Sequence, residues 1–97
     1  MKSRKPEMPQ NYEQAQSYMA GREQQLAILD YELNEQTRAC YKRFFVASCL
    51  DDVRAEKAEL RRAHAEAADR AMDLIRMHDY SDRQRDSRGK SGAEVHQ

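Results

Sequence analysis

The chain has two cysteines, Cys40 and Cys49, and their spacing restricts the fold more than any other feature of the sequence. On one continuous α-helix, this spacing corresponds to an advance of about 13.5 Å and a rotation of about 900°, which places the two sulfur atoms on opposite faces. A disulfide requires the two Cα atoms to lie within about 7 Å of each other. A bond between these cysteines therefore requires the chain to bend between them.

Composition limits the size of the core and the class of partner. The sequence has 97 residues, of which 39% are hydrophobic and 35% are charged. This composition supports at most one small domain and is typical of a long solvated helix or a coiled coil. The 17 basic and 17 acidic residues cancel, which argues against nucleic acid or an anionic membrane as the main partner. No apolar run approaches the roughly 20 residues needed to span a bilayer.

Helix-breaking residues lie near the two ends of the chain. Both prolines precede residue 11, and no glycine or proline interrupts residues 22–88. We therefore predict a flexible arm over 1–11, a helical region over 12–79 and a disordered tail over 80–97. Within the helical region, apolar residues recur in steps of three and four, which predicts two narrow seams with a period of about 3.5 residues. The seam positions are Met19, Leu26, Leu29, Leu33 and Cys40, then Val46, Leu50, Val53, Leu60, Ala67, Ala71 and Leu74, with Arg22, Gln36, Lys57 and His64 in the gaps.

Two architectures fit this pattern: one long helix, or a hairpin that turns near residues 44–47. The interval contains no Gly, Pro, Asn or Asp, which favours the single helix. Lys42 and Arg43 precede the interval, and cations stabilise the C-terminal end of a helix. Ser48 follows it, with an acid three residues later at Asp51, which has the form of an N-cap. The cations and the cap favour the hairpin.

We therefore predict an all-α fold, namely an antiparallel, coiled-coil-like two-helix hairpin with helices over 12–43 and 48–79. Cys40 and Cys49 would then lie at the facing ends of the two helices, where a disulfide contributes about 2.5 to 3 kcal/mol by the loop-entropy estimate. Two alternatives stay open. The cysteines can be reduced, buried residues in a cytosolic protein, or a redox or metal-binding pair, although the Cys-x-x-Cys arrangement is missing.

The residues at the turn are a candidate contact surface for a partner. This surface comprises Tyr41, Arg43, Phe44 and Phe45. In the competing interpretation, the same side chains fold back on the helix ends as an apolar plug. The cost of leaving phenylalanine in water favours the plug.

The sequence around the turn resembles that of a group of small exported proteins of unknown function from betaproteobacteria. In those proteins, a Cys-Tyr-x-Arg-Phe-Ala-Val-Asn-Asp-Cys-Leu stretch joins two charged helices. The matching residues are Cys40, Tyr41, Arg43, Phe44, Val46, Cys49 and Leu50. The chain has Phe45, Ala47 and Ser48 where the pattern has Ala, Asn and Asp. The resemblance implies a disulfide-closed hairpin in the periplasm, and it implies no known activity.

No glycine-rich phosphate loop, nucleophile motif or metal-hydrolase motif occurs in the sequence, so we expect no enzyme activity, no cofactor and no metal site. We expect a structural or protein-interaction module, whose remaining apolar surface is covered by a protein partner or by self-association. One alternative is a cytosolic coiled-coil regulator that binds nucleic acid through Lys2, Arg4 and Lys5. The other is a periplasmic metal or redox protein that uses the cysteines with His78 and Met77.

Overall fold

The computed structural model describes residues 5–94, with side chains described up to residue 85. It contains two helices, α1 (Tyr12–Cys40) and α2 (Val46–Glu94). Both helices are long, with 29 and 49 residues. The predicted all-α class is confirmed, and the single continuous helix is wrong because the chain reverses between α1 and α2.

The two helices run antiparallel, as contacts at the two ends of α1 show. At the C-terminal end, Cys40 and Cys49 form a disulfide, with their Cα atoms 5.5 Å apart. At the N-terminal end, the ring of Tyr12 stacks on that of His78, with centroids 3.5 Å apart. Between these points, Arg61 of α2 and Asp30 of α1 form an ion pair at 2.8 Å. The predicted hairpin and its disulfide are confirmed.

Helix α1 begins at Tyr12, where the sequence predicts it, because Asn11 caps it. The backbone of Asn11 is extended, with φ of −147° and ψ of 174°. Its Oδ1 accepts a hydrogen bond of 2.8 Å from the backbone N–H of Gln14. Gln14 in turn accepts a bond of 2.9 Å at Oε1 from the backbone N–H of Gln10. The first bond satisfies a backbone donor that a helix start otherwise leaves unpaired, and the second ties the preceding residue to the first turn.

Helix α1 ends at Cys40, so the predicted end at residue 43 is wrong. The three residues that follow each donate a backbone N–H to the carbonyl three residues earlier, which is the hydrogen bonding of a 3₁₀ helix. These bonds run from Tyr41 to Arg38, Lys42 to Ala39 and Arg43 to Cys40, at 3.3, 3.1 and 3.0 Å. No described residue has a positive φ angle. The turn therefore needs neither glycine nor asparagine.

Helix α2 begins at Val46, so the turn occupies residues 41–45 and the predicted start at 48 is wrong. The backbone N–H of Cys49 already donates to the carbonyl of Phe45 at 3.1 Å. Ser48 lies inside the first turn of the helix and does not cap it. The earlier start adds Val46 to the helix face that already holds Cys49 and Val53, at helical steps of three and four.

Helix α2 continues to Glu94, whereas the sequence predicts a boundary at residue 79 and a tail beyond it. No proline interrupts this part of the chain. On the exposed surface, Arg85 pairs with Asp82 at 3.1 Å, three residues earlier, and such pairs stabilise an isolated helix. Since α1 begins opposite His78, the last turns of α2 extend beyond the paired region. Residues 1–4 and 95–97, which belong to the predicted arm and tail, lie outside the described residues.

The core is one thin seam between the helices. The buried apolar residues form two clusters: Ala15, Tyr18, Ala67, Ala68 and Ala71 towards the open end, and Leu29, Leu33 and Leu60 towards the turn. Most lie at the predicted seam positions. The sequence predicts Met19 in the seam, but its neighbour Tyr18 is the buried residue and Met19 is only half-buried. Three other predicted seam residues, Val46, Leu50 and Val53, are also only half-buried.

Residues 5–10 are not helical, as the sequence predicts, and they contact both helices. Pro9 is buried, and its carbonyl accepts a hydrogen bond of 3.2 Å from Nε of Arg70. Lys5 forms an ion pair with Glu59 at 2.6 Å. The hydrogen bond and the charge of Lys5 lower the pKa of the Glu59 carboxyl below its ordinary value. The sequence prediction of a flexible arm did not include these contacts.

Candidate functional site

The most unusual surface of the molecule is the turn, residues 41–45, which we call the tip. Phe44 is 92% exposed, Phe45 71% and Tyr41 67%. Lys42 and Arg43 are exposed as well. The predicted apolar plug is wrong, because the two phenylalanines do not fold back on the helix ends.

Geometry explains this exposure. The rings of Phe44 and Phe45 meet edge to face, with centroids 5.1 Å apart and an interplanar angle of 68°. Beyond this mutual contact, two helices joined by a five-residue turn offer no third surface that could bury the rings. Val46, the next apolar residue, is half-buried against the hairpin. The tip therefore presents an aromatic pair to the surroundings.

The disulfide lies directly beneath the tip. Cys40 is fully buried, whereas Cys49 is half-buried. The bond joins the last residue of α1 to the first turn of α2, so it fixes both ends of the tip. Because both cysteines are bonded to each other, the prediction of reduced, separate thiols is wrong for this structure.

The tip carries two cations and no acid. Neither Lys42 nor Arg43 forms an ion pair with any described residue. The acids nearest the tip in sequence are Glu35, Asp51 and Asp52. Two of them are already paired, Glu35 with Arg38 at 3.5 Å and Asp51 with Arg54 at 3.1 Å. The tip therefore has a local positive charge although the chain as a whole is neutral.

A second polar site lies inside the seam, where Tyr18 meets His64. His64 is 2% exposed. The Tyr18 hydroxyl oxygen lies 2.8 Å from Nδ1 of His64 and 3.0 Å from the His64 carbonyl oxygen. The carbonyl can only accept, so the hydroxyl donates its single proton there, and Nδ1–H donates to the hydroxyl oxygen. This assignment places the proton of neutral His64 on Nδ1.

Burial and two nearby cations keep His64 neutral. Burial lowers the pKa of the imidazole below its ordinary value, and the charges of Arg22 and Arg61 lower it further. The sequence predicts His64 in a gap of the seam but does not predict its bond to Tyr18. The available signal was a polar residue in an apolar seam, which needs a hydrogen-bond partner from the facing helix.

The histidine and the methionine of the metal-binding alternative, His78 and Met77, are consecutive residues of α2. His78 stacks on Tyr12, and its Nδ1 lies 3.5 Å from Oδ2 of Asp82, which is too long for a good hydrogen bond. Met77 is exposed. Among the described residues, no three His, Cys, Asp or Glu side chains are grouped so that they could hold a metal ion.

The residues considered for nucleic-acid binding are only partly described. Lys2 and Arg4 lie outside the described residues, and Lys5 is paired with Glu59. As for membranes, neither α1 nor the described part of α2 contains a stretch long and apolar enough to cross a bilayer.

No protein-family model, curated protein or solved structure matches this chain. The resemblance to exported betaproteobacterial proteins therefore stays a prediction. Any assignment of function depends on the geometry of the tip and of the hairpin beneath it.

Proposed function

We propose that this protein is a non-enzymatic structural or protein-interaction module of the bacterial periplasm. In this proposal, a disulfide-stapled α-hairpin presents the tip as its contact surface. The observation that carries the proposal is the exposure of Phe44 and Phe45 on a turn closed by a disulfide. Contiguous exposed apolar groups on small proteins mark interaction sites, and disulfides persist mainly in oxidising compartments.

The outer face of α1 supports a second contact, with another copy of the chain. Ile28 is 48% exposed and Tyr31 is 65% exposed. They lie three residues apart and therefore on one face of the helix. Because two helices bury only one seam, coiled-coil packing of two hairpins into a four-helix bundle would cover this face. Self-association would thus supply stability that the thin core of one hairpin lacks.

Sedimentation equilibrium and thermal melting over a range of protein concentrations test this proposal. We expect the melting temperature to rise with concentration, because association stabilises the folded state by mass action. The double variant Ile28→Ser/Tyr31→Ser should melt independently of concentration. The matched variant Phe44→Ser/Phe45→Ser, altered only at the tip, should behave as the unaltered chain. A sedimenting monomer with a concentration-independent melt would contradict the association.

The proposed compartment has its own test. The protein purified from its native host, with free thiols blocked at lysis, should have an intact mass lower by two hydrogens than that of the reduced chain. The same mass gives the N-terminus of the mature chain and shows whether a leader was removed. Recovery of both cysteines in the blocked form would contradict the periplasmic assignment.

A further inference from the structure

We infer that the tip docks on an anionic lipid surface, with its aromatic rings in the interfacial layer and its two cations at the headgroups. This inference rests on the proposed function, in which the tip is the contact surface. It adds the chemical class of the surface that the tip contacts. The tip would then anchor one end of the hairpin at a membrane surface, without any span of the bilayer.

The shape of the tip fits a lipid surface better than a shaped protein pocket. The molecule is a rod with extents of 77, 20 and 17 Å, and the tip is the convex end of its paired region. Three aromatic side chains, Tyr41, Phe44 and Phe45, are exposed within five successive residues. Aromatic rings are favoured at membrane–water interfaces, because the apolar ring contacts the lipid chains while neighbouring polar groups stay among the headgroups. A convex aromatic end needs no preformed cavity in its partner.

Part of the backbone of the tip is already hydrogen-bonded within the protein, which favours its entry into such a layer. The N–H groups of Tyr41, Lys42 and Arg43 each donate to a carbonyl at the end of α1. Unpaired backbone groups are costly in an apolar environment, and these internal hydrogen bonds remove that cost for three of the five residues of the tip. The disulfide fixes the turn beforehand, so the contact does not have to order it.

The local charge also complements an anionic lipid surface. Neither Lys42 nor Arg43 pairs with an acid among the described residues, and their flexible stems allow the charged groups to reach phosphate while the rings lie deeper. Charges are screened over about 8 to 10 Å at physiological salt. The local positive charge of the tip therefore affects binding more than the zero net charge of the whole chain. Asp52 is the nearby acid that opposes the contact. Helix α2 has no acid in its first turn, where its dipole is positive.

Flotation with lipid vesicles tests the inference on the full oxidised chain. The chain contains no tryptophan, so Phe44→Trp introduces a single tryptophan, whose emission reports on the tip, and keeps an aromatic ring. We expect this variant to float with vesicles of phosphatidylcholine and phosphatidylglycerol and to shift its emission to the blue. With pure phosphatidylcholine vesicles, binding should be much weaker. Adding Lys42→Gln and Arg43→Gln should weaken binding to the anionic vesicles by about 30-fold, at about fivefold per cation.

Matched variants separate the tip from general charge and hydrophobicity. Lys57→Gln with Arg83→Gln removes two exposed cations away from the tip and should leave binding unchanged. Phe45→Ser should weaken binding, whereas Tyr80→Ser, at a 59% exposed aromatic position on α2 far from the tip, should not. Equal loss in the tip and control variants would overturn the inference, as would equal binding to both vesicle types.

The absence of flotation with either vesicle type would also overturn the inference, and it would favour a protein as the partner of the tip. That outcome would leave the hairpin module itself intact. The concentration dependence of melting and the mass of the native protein test the module separately, so the two failures can be distinguished.

Discussion

Replacement of Tyr18 by phenylalanine tests whether the buried polar pair stabilises the hairpin. The Tyr18 hydroxyl lies 2.8 Å from Nδ1 of His64 and 3.0 Å from its carbonyl oxygen, and the tyrosine is 7% exposed. The substitution keeps the ring but leaves the Nδ1–H of His64 buried without an acceptor. An orphaned buried donor costs about 1 to 3 kcal/mol, so we expect the free energy of unfolding to fall by about 2 kcal/mol.

Urea denaturation followed by far-ultraviolet circular dichroism measures this change. All variants should be oxidised and compared at one protein concentration, because association also affects stability. Tyr31→Phe is the matched control, since it removes a hydroxyl from a tyrosine of the same helix that is 65% exposed. This control should change the free energy of unfolding by less than about 0.5 kcal/mol.

A double-mutant cycle with His64→Ala then isolates the pairwise contribution. Groups in direct contact show coupling energies of about 0.5 to 3 kcal/mol, whereas independent sites are additive. Additive effects of Tyr18→Phe and His64→Ala would refute the argument that the two side chains act as a unit. Equal urea midpoints for Tyr18→Phe and Tyr31→Phe would refute it as well.

Three further predictions concern the staple, the buried histidine and a glycine. Reduction of the Cys40–Cys49 bond should lower the free energy of unfolding by about 2.7 kcal/mol by the loop-entropy estimate; an unchanged urea midpoint would contradict the staple. Because the folded state lowers the pKa of His64, the unfolded chain binds a proton more readily. The stability that the hairpin gains by holding His64 neutral is therefore fully present above the unfolded pKa of about 6.5 and is lost as the pH falls through the folded value. We expect the urea midpoint of the unaltered chain to fall as the pH is lowered, and His64→Gln should make this fall shallower. An equally steep fall in the variant would show that other groups cause it. Gly21→Ala should raise the free energy of unfolding by about 0.5 to 1 kcal/mol, since the nearest atom to an added Cβ is Nε2 of Gln25 at 3.7 Å; a lower melting temperature would contradict this.

The sequence predicts the paired part of the fold well, because its signals are long-range and redundant. Cysteine spacing requires a bend if the sulfurs are bonded, and two apolar seams require two helices that face each other. A period of about 3.5 residues does not determine which of two adjacent residues is buried, so the pattern predicted Met19 in the seam instead of Tyr18. Tyr18 is buried because its hydroxyl can pair with His64 across the seam. A search for partners of polar seam residues would have found it.

The boundaries of the turn were harder to predict, because several local signals compete there. Ser48 followed by Asp51 has the sequence of an N-cap, yet α2 already begins at Val46. The absence of glycine and asparagine favoured one long helix, but the observed turn contains no positive φ angle. The 3₁₀ hydrogen bonds of residues 41–43 provide this alternative. Rules based on left-handed turn residues do not apply to such a turn.

The tip shows why total composition was a poor guide to its role. Burial of phenylalanine is favourable only where a surface exists to receive it, and a two-helix hairpin has none beyond its last turn. Phe44 and Phe45 therefore stay in solvent, although apolar residues as a class favour the core. Likewise, the neutral sum of charges argues against an anionic partner, whereas Lys42 and Arg43, which pair with no acid in the described part of the chain, lie beside the exposed rings. Since contacts form between surfaces, the arrangement of these few side chains decides what the hairpin can bind.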